Sequence, residues 1–110
     1  MPEDKALLGC SGFEWDKGNI EKNWKKHRVS PVECEQVFFN QPVIISGDVQ
    51  HSAGEFRYYT LGRTDTGRLL FVSFTIRGNN MRVISARNMS RKERRAFQAH
   101  EKETDSEIQK

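Results

Sequence analysis

Three side chains that can transfer protons or bind phosphate lie close together near the middle of the 110-residue chain: His51, Glu55 and Arg57. Histidine and glutamate can exchange protons near neutral pH, and arginine can stabilise charge that develops on a phosphoryl group. Glu55 and Arg57 are two residues apart, so they share one face of a strand. The alternative is structural: His51 caps a turn, and Glu55 forms a cross-strand salt bridge with Arg57.

A second basic group, Arg82 and Arg87, lies on a segment typical of a strand that leads into a helix. The two residues are five positions apart, so an unbroken strand would place their side chains on opposite faces. Arg87 lies near the strand end and can turn towards either side. The amides at the start of the following helix favour an anion, although the basic residues there oppose the helix dipole. The alternative is an exposed basic edge without a catalytic role.

The arginines are concentrated in one part of the chain. The segment 57–95 contains nine of the ten arginines together with Lys92, against the two acids Asp65 and Glu93. Its net charge is therefore +8, whereas the whole chain carries +3. Arginine grips phosphate through a planar fork of donors, which lysine lacks. This asymmetry indicates a polyanionic partner, with a basic face that serves only solubility as the alternative.

Composition excludes several other classes of protein. Cys10 and Cys34 form neither a disulfide framework nor a spacing of metal ligands, so we expect no metal site, no bound cofactor and a reduced, cytoplasmic setting. The longest apolar run, 69–72, is too short for a membrane span, and the first residues lack the apolar stretch of a secretory signal. The chain contains no Ser-His-Asp spacing and no phosphate-binding glycine motif.

The helices that position these residues follow from their start signals. Asp16 is an N-cap for a helix near 17–28. Ser30-Pro31-Val32-Glu33 is a capping box with proline at the first helical position, and predicts a helix that ends near Asn40. Ser90-Arg91-Lys92-Glu93 repeats the capping box and predicts a last helix through about His100.

Alternating or apolar runs predict the strands, which are expected at 13–15, 43–45, 56–61, 68–76 and 81–86, with a turn at 46–48. Two helices before an antiparallel sheet of three to four or more strands, and one helix after it, define an α+β fold. On the strand at 68–76, one face is apolar and should carry the helices (Leu70, Val72, Phe74, Ile76). The other face includes the hydroxyls of Ser73 and Thr75, where a ligand can bind. We expect one domain at 12–98, a flexible leader at 1–11 and a frayed polar tail at 99–110.

Short motifs follow one another in a characteristic order along nearly the whole expected domain. They are Phe13-Glu14-Trp15-Asp16, Asn23 with Lys26-His27, Val29-Ser30, Phe38-Phe39, His51-Ser52 with Gly54-Glu55 and Arg57, Leu61-Gly62-Arg63, Gly67-Arg68-Leu69-Leu70 with Val72, Arg82-Val83-Ile84-Ser85-Ala86-Arg87 and Arg91-Lys92-Glu93-Arg94-Arg95. This ordered set resembles the BrnT toxin family over about residues 12–98. The chain departs from the family pattern at Arg28, where glycine is usual after the histidine.

The resemblance implies a RelE-like fold and a ribonuclease toxin of a bacterial type II toxin–antitoxin module, which inhibits translation by cleaving RNA. The implied partner is a BrnA-like ribbon-helix-helix antitoxin, in a complex of two toxins and two antitoxins. The antitoxin would block the toxin and bind operator DNA, so that the toxin reaches this DNA only through its partner. No membrane and no metal are implied.

Such an enzyme needs no metal when the 2′-hydroxyl of the RNA is the nucleophile, because the protein then has only to move protons and hold the phosphoryl oxygens. The polar positions that match the family are His51, Glu55, Arg57, Arg68, Arg82 and Arg87. Of these, we expect Glu55 or His51 to transfer protons, and Arg57, Arg82 and Arg87 to bind phosphate. Further contacts to RNA are expected from other arginines, namely Arg63, Arg68, Arg91 and Arg94.

Two other functions fit the same residues. The arginine-rich segment alone would equally serve a non-catalytic module that binds RNA or DNA. An inactive toxin homologue that keeps only the antitoxin-binding surface would also retain the motifs. Cleavage of RNA in the presence of a chelator distinguishes a ribonuclease from a non-catalytic binding module. Arrest of cell growth distinguishes an active toxin from an inactive homologue.

Overall fold

The sheet and helices follow the predicted order. The computed structural model describes residues 12–48 and 54–108, with side chains as far as Glu103. Within these residues the elements are β1 (Gly12–Glu14), α1 (Lys17–His27), α2 (Pro31–Phe39), β2 (Ile44–Asp48), β3 (Arg57–Arg63), β4 (Leu69–Arg77), β5 (Asn80–Asn88) and α3 (Arg91–Ile108). The expected leader at 1–11 lies outside the described residues. The α+β class is confirmed.

Each helix begins at its predicted cap. The side chain of Asp16 accepts a hydrogen bond from the amide of Asn19 at 3.2 Å. Ser30 and Glu33 form the complete capping box, in which Glu33 accepts from the Ser30 amide and Ser30 accepts from the Glu33 amide. These bonds satisfy amides that have no partner within the helix, and so they fix where each helix starts.

The sheet has five strands in the order β1-β5-β4-β3-β2. Strands β2 to β5 form the predicted antiparallel meander, but β1 is parallel to β5, so the sheet is mixed. The turn expected at 46–48 is wrong, because Ser46, Gly47 and Asp48 continue β2 and pair with β3. Gly47 permits this, since a Cβ atom there would lie 2.9 Å from Cζ of Phe56.

Helices α1 and α2 cover one face of the sheet, which we call the α1–α2 face. Leu70, Val72 and Phe74 of β4 are fully buried there, as their alternation predicts. They lie in two core clusters that also contain Val37 of α2 and Val83 of β5. Cys34 is buried in the same core, and its burial raises the pKa of the thiol to about 12. Cys34 is therefore a packing residue, since the reactive form of cysteine is the thiolate.

Helix α3 packs on the opposite face of the sheet, here called the α3 face. The expectation that the helices lie on one face is therefore wrong for α3. The reason is an apolar patch on the α3 face, in which Phe97 of α3 is buried with Leu61 and Met89, and Leu69 and Phe71 pack against them. This helix leaves part of the face uncovered, because Phe97 alone is buried among the α3 side chains at 91–103.

The last helix is longer than its sequence pattern indicated. The predicted end near His100 is wrong, and the segment expected to fray from residue 99 is helical to Ile108. The segment 101–108 contains neither glycine nor proline, and glutamate and lysine favour helix. Glu101 also accepts a hydrogen bond from Arg63 of β3 at 2.6 Å, which ties this part of the helix to the sheet. In the described part of the chain, no helix is long and apolar enough to span a membrane.

Candidate functional site

A β-bulge in β5 decides which arginines share a face. The pairing of β4 with β5 shifts between Ser73 and Phe74, so that Ser73 pairs with Ser85 and Phe74 pairs with Val83. Ile84 is the additional residue. The additional residue interrupts the alternation of side chains along β5. Arg82 and Arg87, which are five residues apart, therefore lie on the same side of the sheet. Both belong to the α3 face.

One row of paired residues crosses all five strands on this face. The row consists of Asp48, Arg57, Thr75, Arg82 and Glu14. Neighbouring strands are about 4.8 Å apart, so the Cα atoms of Arg57 and Arg82 are separated by roughly 10 Å and their long side chains can meet. Thr75 is not available to a ligand, since it is buried and donates a hydrogen bond to the Phe56 carbonyl at 2.7 Å.

Glu55 lies beside this row, and its carboxylate pairs with the guanidinium of Arg77. Arg77 donates from Nε to Glu55 Oε2 at 2.9 Å and from Nη2 to Oε1 at 3.4 Å. This hydrogen bonding lowers the pKa of Glu55, and the positive charges of Arg77, Arg82 and Arg57 lower it further. Glu55 is therefore ionised at neutral pH. We call Glu55, Arg57, Arg77 and Arg82 the arginine cluster.

Arg82 is held in place by two acids that precede it by more than sixty residues. Its Nη2 donates to Asp16 at 2.8 Å and its Nη1 to Glu14 at 3.4 Å. Asp16 is also the N-cap of α1, and the amides of Asn19 and Gly18 lower its pKa, with Arg82 contributing. The guanidinium of Arg82 is thus oriented by the start of α1, and its five donors leave others for a ligand.

Arg87 pairs with Phe71, four residues along β4 from Thr75, and lies under the start of α3. It forms a bidentate pair with Glu93, at 2.8 and 2.9 Å. These bonds raise the pKa of Arg87 and lower that of Glu93. Glu93 also accepts from the Ser90 amide at 2.8 Å, so one carboxylate caps α3 and binds Arg87. Arg87 is consequently engaged by the protein itself.

A groove of about 560 Å³ separates α3 from the sheet beside Arg87. The sheet contributes Tyr59, Leu61 and Phe71 to its lining, and α3 contributes Lys92, Glu93 and Ala96. Asp48, which belongs to the same row as Arg57, also lines this groove. The α3 groove is therefore adjacent to the arginine cluster.

Two arginines expected to contact RNA are used for assembly. Arg68 donates to the carbonyl groups of His27 and Arg28, to Glu33 and to Asn88. It therefore joins the end of α1 and the start of α2 to the end of β5. Arg63 pairs with Glu101 and lies over the ring of Phe97, at 5.9 Å from its centroid. Neither belongs to the arginine cluster.

The remaining predicted residues lie elsewhere. Arg91 and Arg94 are exposed in the first turns of α3, where Arg94 lines a second groove of about 510 Å³. His51 lies outside the described residues. Arg77 was missed in the sequence because it borders a hairpin turn, although its position opposite Glu55 on the neighbouring strand follows from the meander. Within the described residues, no group of three or more His, Cys, Asp or Glu could hold a metal ion.

Comparisons with known proteins agree with the resemblance stated from the motifs. A model of the ribonuclease toxin BrnT of type II toxin–antitoxin systems matches residues 15–93. The fold is similar to the crystal structure of the Brucella abortus ribonuclease toxin BrnT, with a TM-score of 0.52 and 22% identity over 73% of this chain and 97% of that chain. Curated proteins give no match. Because the family model spans well over half of the sequence, the chain belongs to the BrnT family of ribonuclease toxins of type II toxin–antitoxin systems.

Proposed function

We propose that this protein is an endoribonuclease that cleaves RNA at the arginine cluster without a metal ion or a cofactor, and so inhibits translation in the cytoplasm. The observation that carries the proposal is the position of the Glu55 carboxylate on the α3 face, where it pairs with Arg77 and lies two residues before Arg57, in the row that also contains Arg82. Such an arrangement places a proton acceptor beside cations that can bind a phosphodiester.

The reaction would use the 2′-hydroxyl of the RNA as nucleophile. Glu55, which is ionised at neutral pH, accepts the 2′-hydroxyl proton as the oxygen attacks the adjacent phosphorus. Arg57 and Arg82 bind the phosphoryl oxygens as negative charge develops on them. The bond from phosphorus to the 5′-oxygen breaks, and this oxygen takes a proton, for which His51 is the candidate donor. The products are a 2′,3′-cyclic phosphate and a 5′-hydroxyl.

Arg87 would bind a neighbouring phosphate of the same strand. It lies about 13 Å along β4 from the row that contains Arg57, which is more than the reach to a single phosphate. Its pairing with Glu93 means that RNA has to compete with a carboxylate for the guanidinium. Arg87 is therefore assigned to binding, with a smaller effect on the rate than Arg57 or Arg82.

Cleavage rates of a fluorescent single-stranded RNA in EDTA test the proposal. Arg57→Ala and Glu55→Gln are each expected to lower the rate about 100-fold or more, since they remove a phosphate-binding cation and a proton acceptor. Arg95→Ala removes an exposed cation of α3 outside the cluster and should leave the rate unchanged. RNA that stays intact with wild-type protein but is bound in a salt-dependent manner would instead identify a non-catalytic binding module.

We further propose that a BrnA-like ribbon-helix-helix antitoxin neutralises the toxin in a complex of two toxins and two antitoxins, and that operator DNA is bound through the antitoxin. Membership of a type II toxin family supports a protein antitoxin as partner. Co-expression with the product of the neighbouring gene should restore growth and give a complex whose mass corresponds to 2:2. Growth that is unaffected by the toxin alone would indicate an inactive homologue.

A further inference from the structure

The α3 groove contains a stack of planar groups, two of which, Tyr59 and Phe71, have no part in the proposed reaction. The rings of Tyr59 and Phe71 are nearly parallel, with an interplanar angle of 15° and centroids 5.4 Å apart. The guanidinium of Arg87 lies over Phe71, at 4.2 Å from the ring centroid. Aromatic rings and guanidinium planes are the groups on which unpaired nucleobases stack.

This stack is partly exposed, and short side chains lie next to it on α3 and β2. Tyr59 and Phe71 are only half-buried, whereas Leu61 and Phe97 on the same face are buried. Among the α3 residues that line the groove, Ala96 is exposed and has a short side chain. The β2 residue paired with Tyr59 is Ser46, which also has a short side chain. The volume of about 560 Å³ is within the range typical of small-molecule sites.

The position of the stack relates it to the arginine cluster. Tyr59 follows Arg57 by two residues on the same side of β3, about 7 Å along the strand. A nucleotide whose phosphate lies at Arg57 therefore has its base within reach of Tyr59. Phe71 offers this base an apolar surface in the groove, whose charged lining consists of two bases, Arg87 and Lys92, and two acids, Asp48 and Glu93.

We propose that the α3 groove is a nucleobase subsite, in which a base of single-stranded RNA next to the scissile phosphate stacks on Tyr59. This inference rests on the proposed function, because that function identifies the ligand as RNA. It adds Tyr59 as the residue that positions the substrate. Tyr59 binds the substrate and takes no part in the proton transfers. Stacking is tolerant of base identity, so the subsite orients the strand and does not by itself select one sequence.

Fluorescence anisotropy with an uncleavable RNA tests this subsite separately from catalysis. The probe is a short single-stranded 2′-O-methyl RNA, and the comparison is the same backbone without bases. Tyr59→Ala should weaken binding of the base-bearing probe by about five-fold or more, and leave binding of the abasic probe unchanged. Tyr59→Phe keeps the ring and should bind as wild type. Thermal unfolding of each variant establishes that it is folded.

Two further variants keep the test decisive. Ala96→Leu fills the groove from an exposed helix position, removes no polar group, and should also weaken binding of the base-bearing probe alone. Trp24→Ala removes an aromatic side chain of α1 that is 48% exposed, and should change neither affinity. If Tyr59→Ala does not fold, Ala96→Leu decides.

Equal affinity of wild type and Ala96→Leu for the base-bearing probe would overturn the subsite, as would equal losses for both probes in Tyr59→Ala. Failure of the wild-type protein to bind either probe would also overturn it. Failure of the proposed ribonuclease activity is a different result, because it is measured on unmodified RNA. A wild type that binds the base-bearing probe through Tyr59 but leaves unmodified RNA intact refutes catalysis and keeps the subsite.

Discussion

Several arginine side chains in this protein form hydrogen bonds that join elements of the fold to one another. The guanidinium of Arg68 donates to two carbonyl groups at the end of α1, and that of Arg82 to two carboxylates beside β1 and α1. Sequence reasoning identified Arg82 as important but could not identify its partners, since Glu14 and Asp16 are 68 and 66 residues away. Local partners were predictable, as Ser30 with Glu33 demonstrates.

Arg28 adopts an uncommon backbone conformation at the end of α1. It is in the left-handed region, with φ 54° and ψ 43°, which costs a non-glycine residue free energy. Its guanidinium lies 5.3 Å from the Trp24 ring, which offsets part of that cost.

Arg28→Gly is therefore expected to raise the free energy of unfolding by about 0.5–1 kcal/mol, as measured by urea denaturation. Arg28→Ala provides the control, because alanine loses the ring contact and keeps the backbone cost, so it should not stabilise the protein. Equal stabilisation by both substitutions would show that the guanidinium, and not the backbone conformation, is unfavourable.

Which residues lie together on the α3 face depends on contacts between elements more than on residue types. The bulge at Ile84 brings Arg82 and Arg87 to one face, yet the run Val83-Ile84-Ser85-Ala86 gives no alternation that would locate it. Beyond Arg82 the outer edge of β5 extends past its pairing with β1. There Asn19 of α1 donates to the Val83 carbonyl, and Asn23 accepts from the Ala86 amide. Such tertiary bonds cannot be inferred from hydrophobic periodicity.

Helix α2 approaches β3 closely at Gly62. A Cβ atom there would lie 2.5 Å from Val37 Cγ1 and 3.1 Å from the Val37 carbonyl oxygen, so backbone would have to move. Gly62→Ala is expected to lower the free energy of unfolding by about 1–3 kcal/mol, as judged from thermal or urea unfolding.

The matched substitution is Gly12→Ala, where the nearest atom to an added Cβ atom is 3.8 Å away, and its effect should be much smaller. A Gly62→Ala protein as stable as wild type would mean that α2 does not press on β3 at this point.

At the scale of the whole molecule, folding redistributes the charge asymmetry of the sequence. Acids from outside the segment 57–95 pair with four of its arginines, namely Arg63, Arg68, Arg77 and Arg82. The excess of +8 along the chain is therefore smaller on the folded surface. Class, element order and the core face of β4 were predictable because they depend on local patterns, whereas the placement of α3 and the pairing of these charges depend on tertiary contacts.

Carboxylates bound to arginine determine how stability depends on pH. The pKa values of Asp16, Glu33, Glu55 and Glu93 are all lowered in the folded protein. A carboxylate whose pKa is lowered by folding stabilises the folded state at any pH above its ordinary pKa. This stabilisation is lost as the pH falls through the pKa of the folded state. The melting temperature should therefore be level from pH 7 to about 5 and fall below about pH 4.5.

Glu93→Gln should retain the cap of α3 but lose the ion pair with Arg87. Its melting temperature should therefore be lower than that of wild type between pH 7 and 5, and should fall less at acid pH. Melting curves by circular dichroism across this pH range measure both effects. An acid-induced fall identical to that of wild type would mean that Glu93 does not contribute to it.

The chemical identity of the RNA ends distinguishes attack by the RNA's own 2′-hydroxyl, with Glu55 as proton acceptor and arginines of the α3 face on the phosphate, from attack by water. RNA incubated with wild-type protein in EDTA should yield fragments with a 2′,3′-cyclic phosphate and a 5′-hydroxyl, and RNA methylated at its 2′-oxygens should remain intact. Fragments that carry a 5′-phosphate, or cleavage of the 2′-O-methyl RNA, would rule out attack by the 2′-hydroxyl.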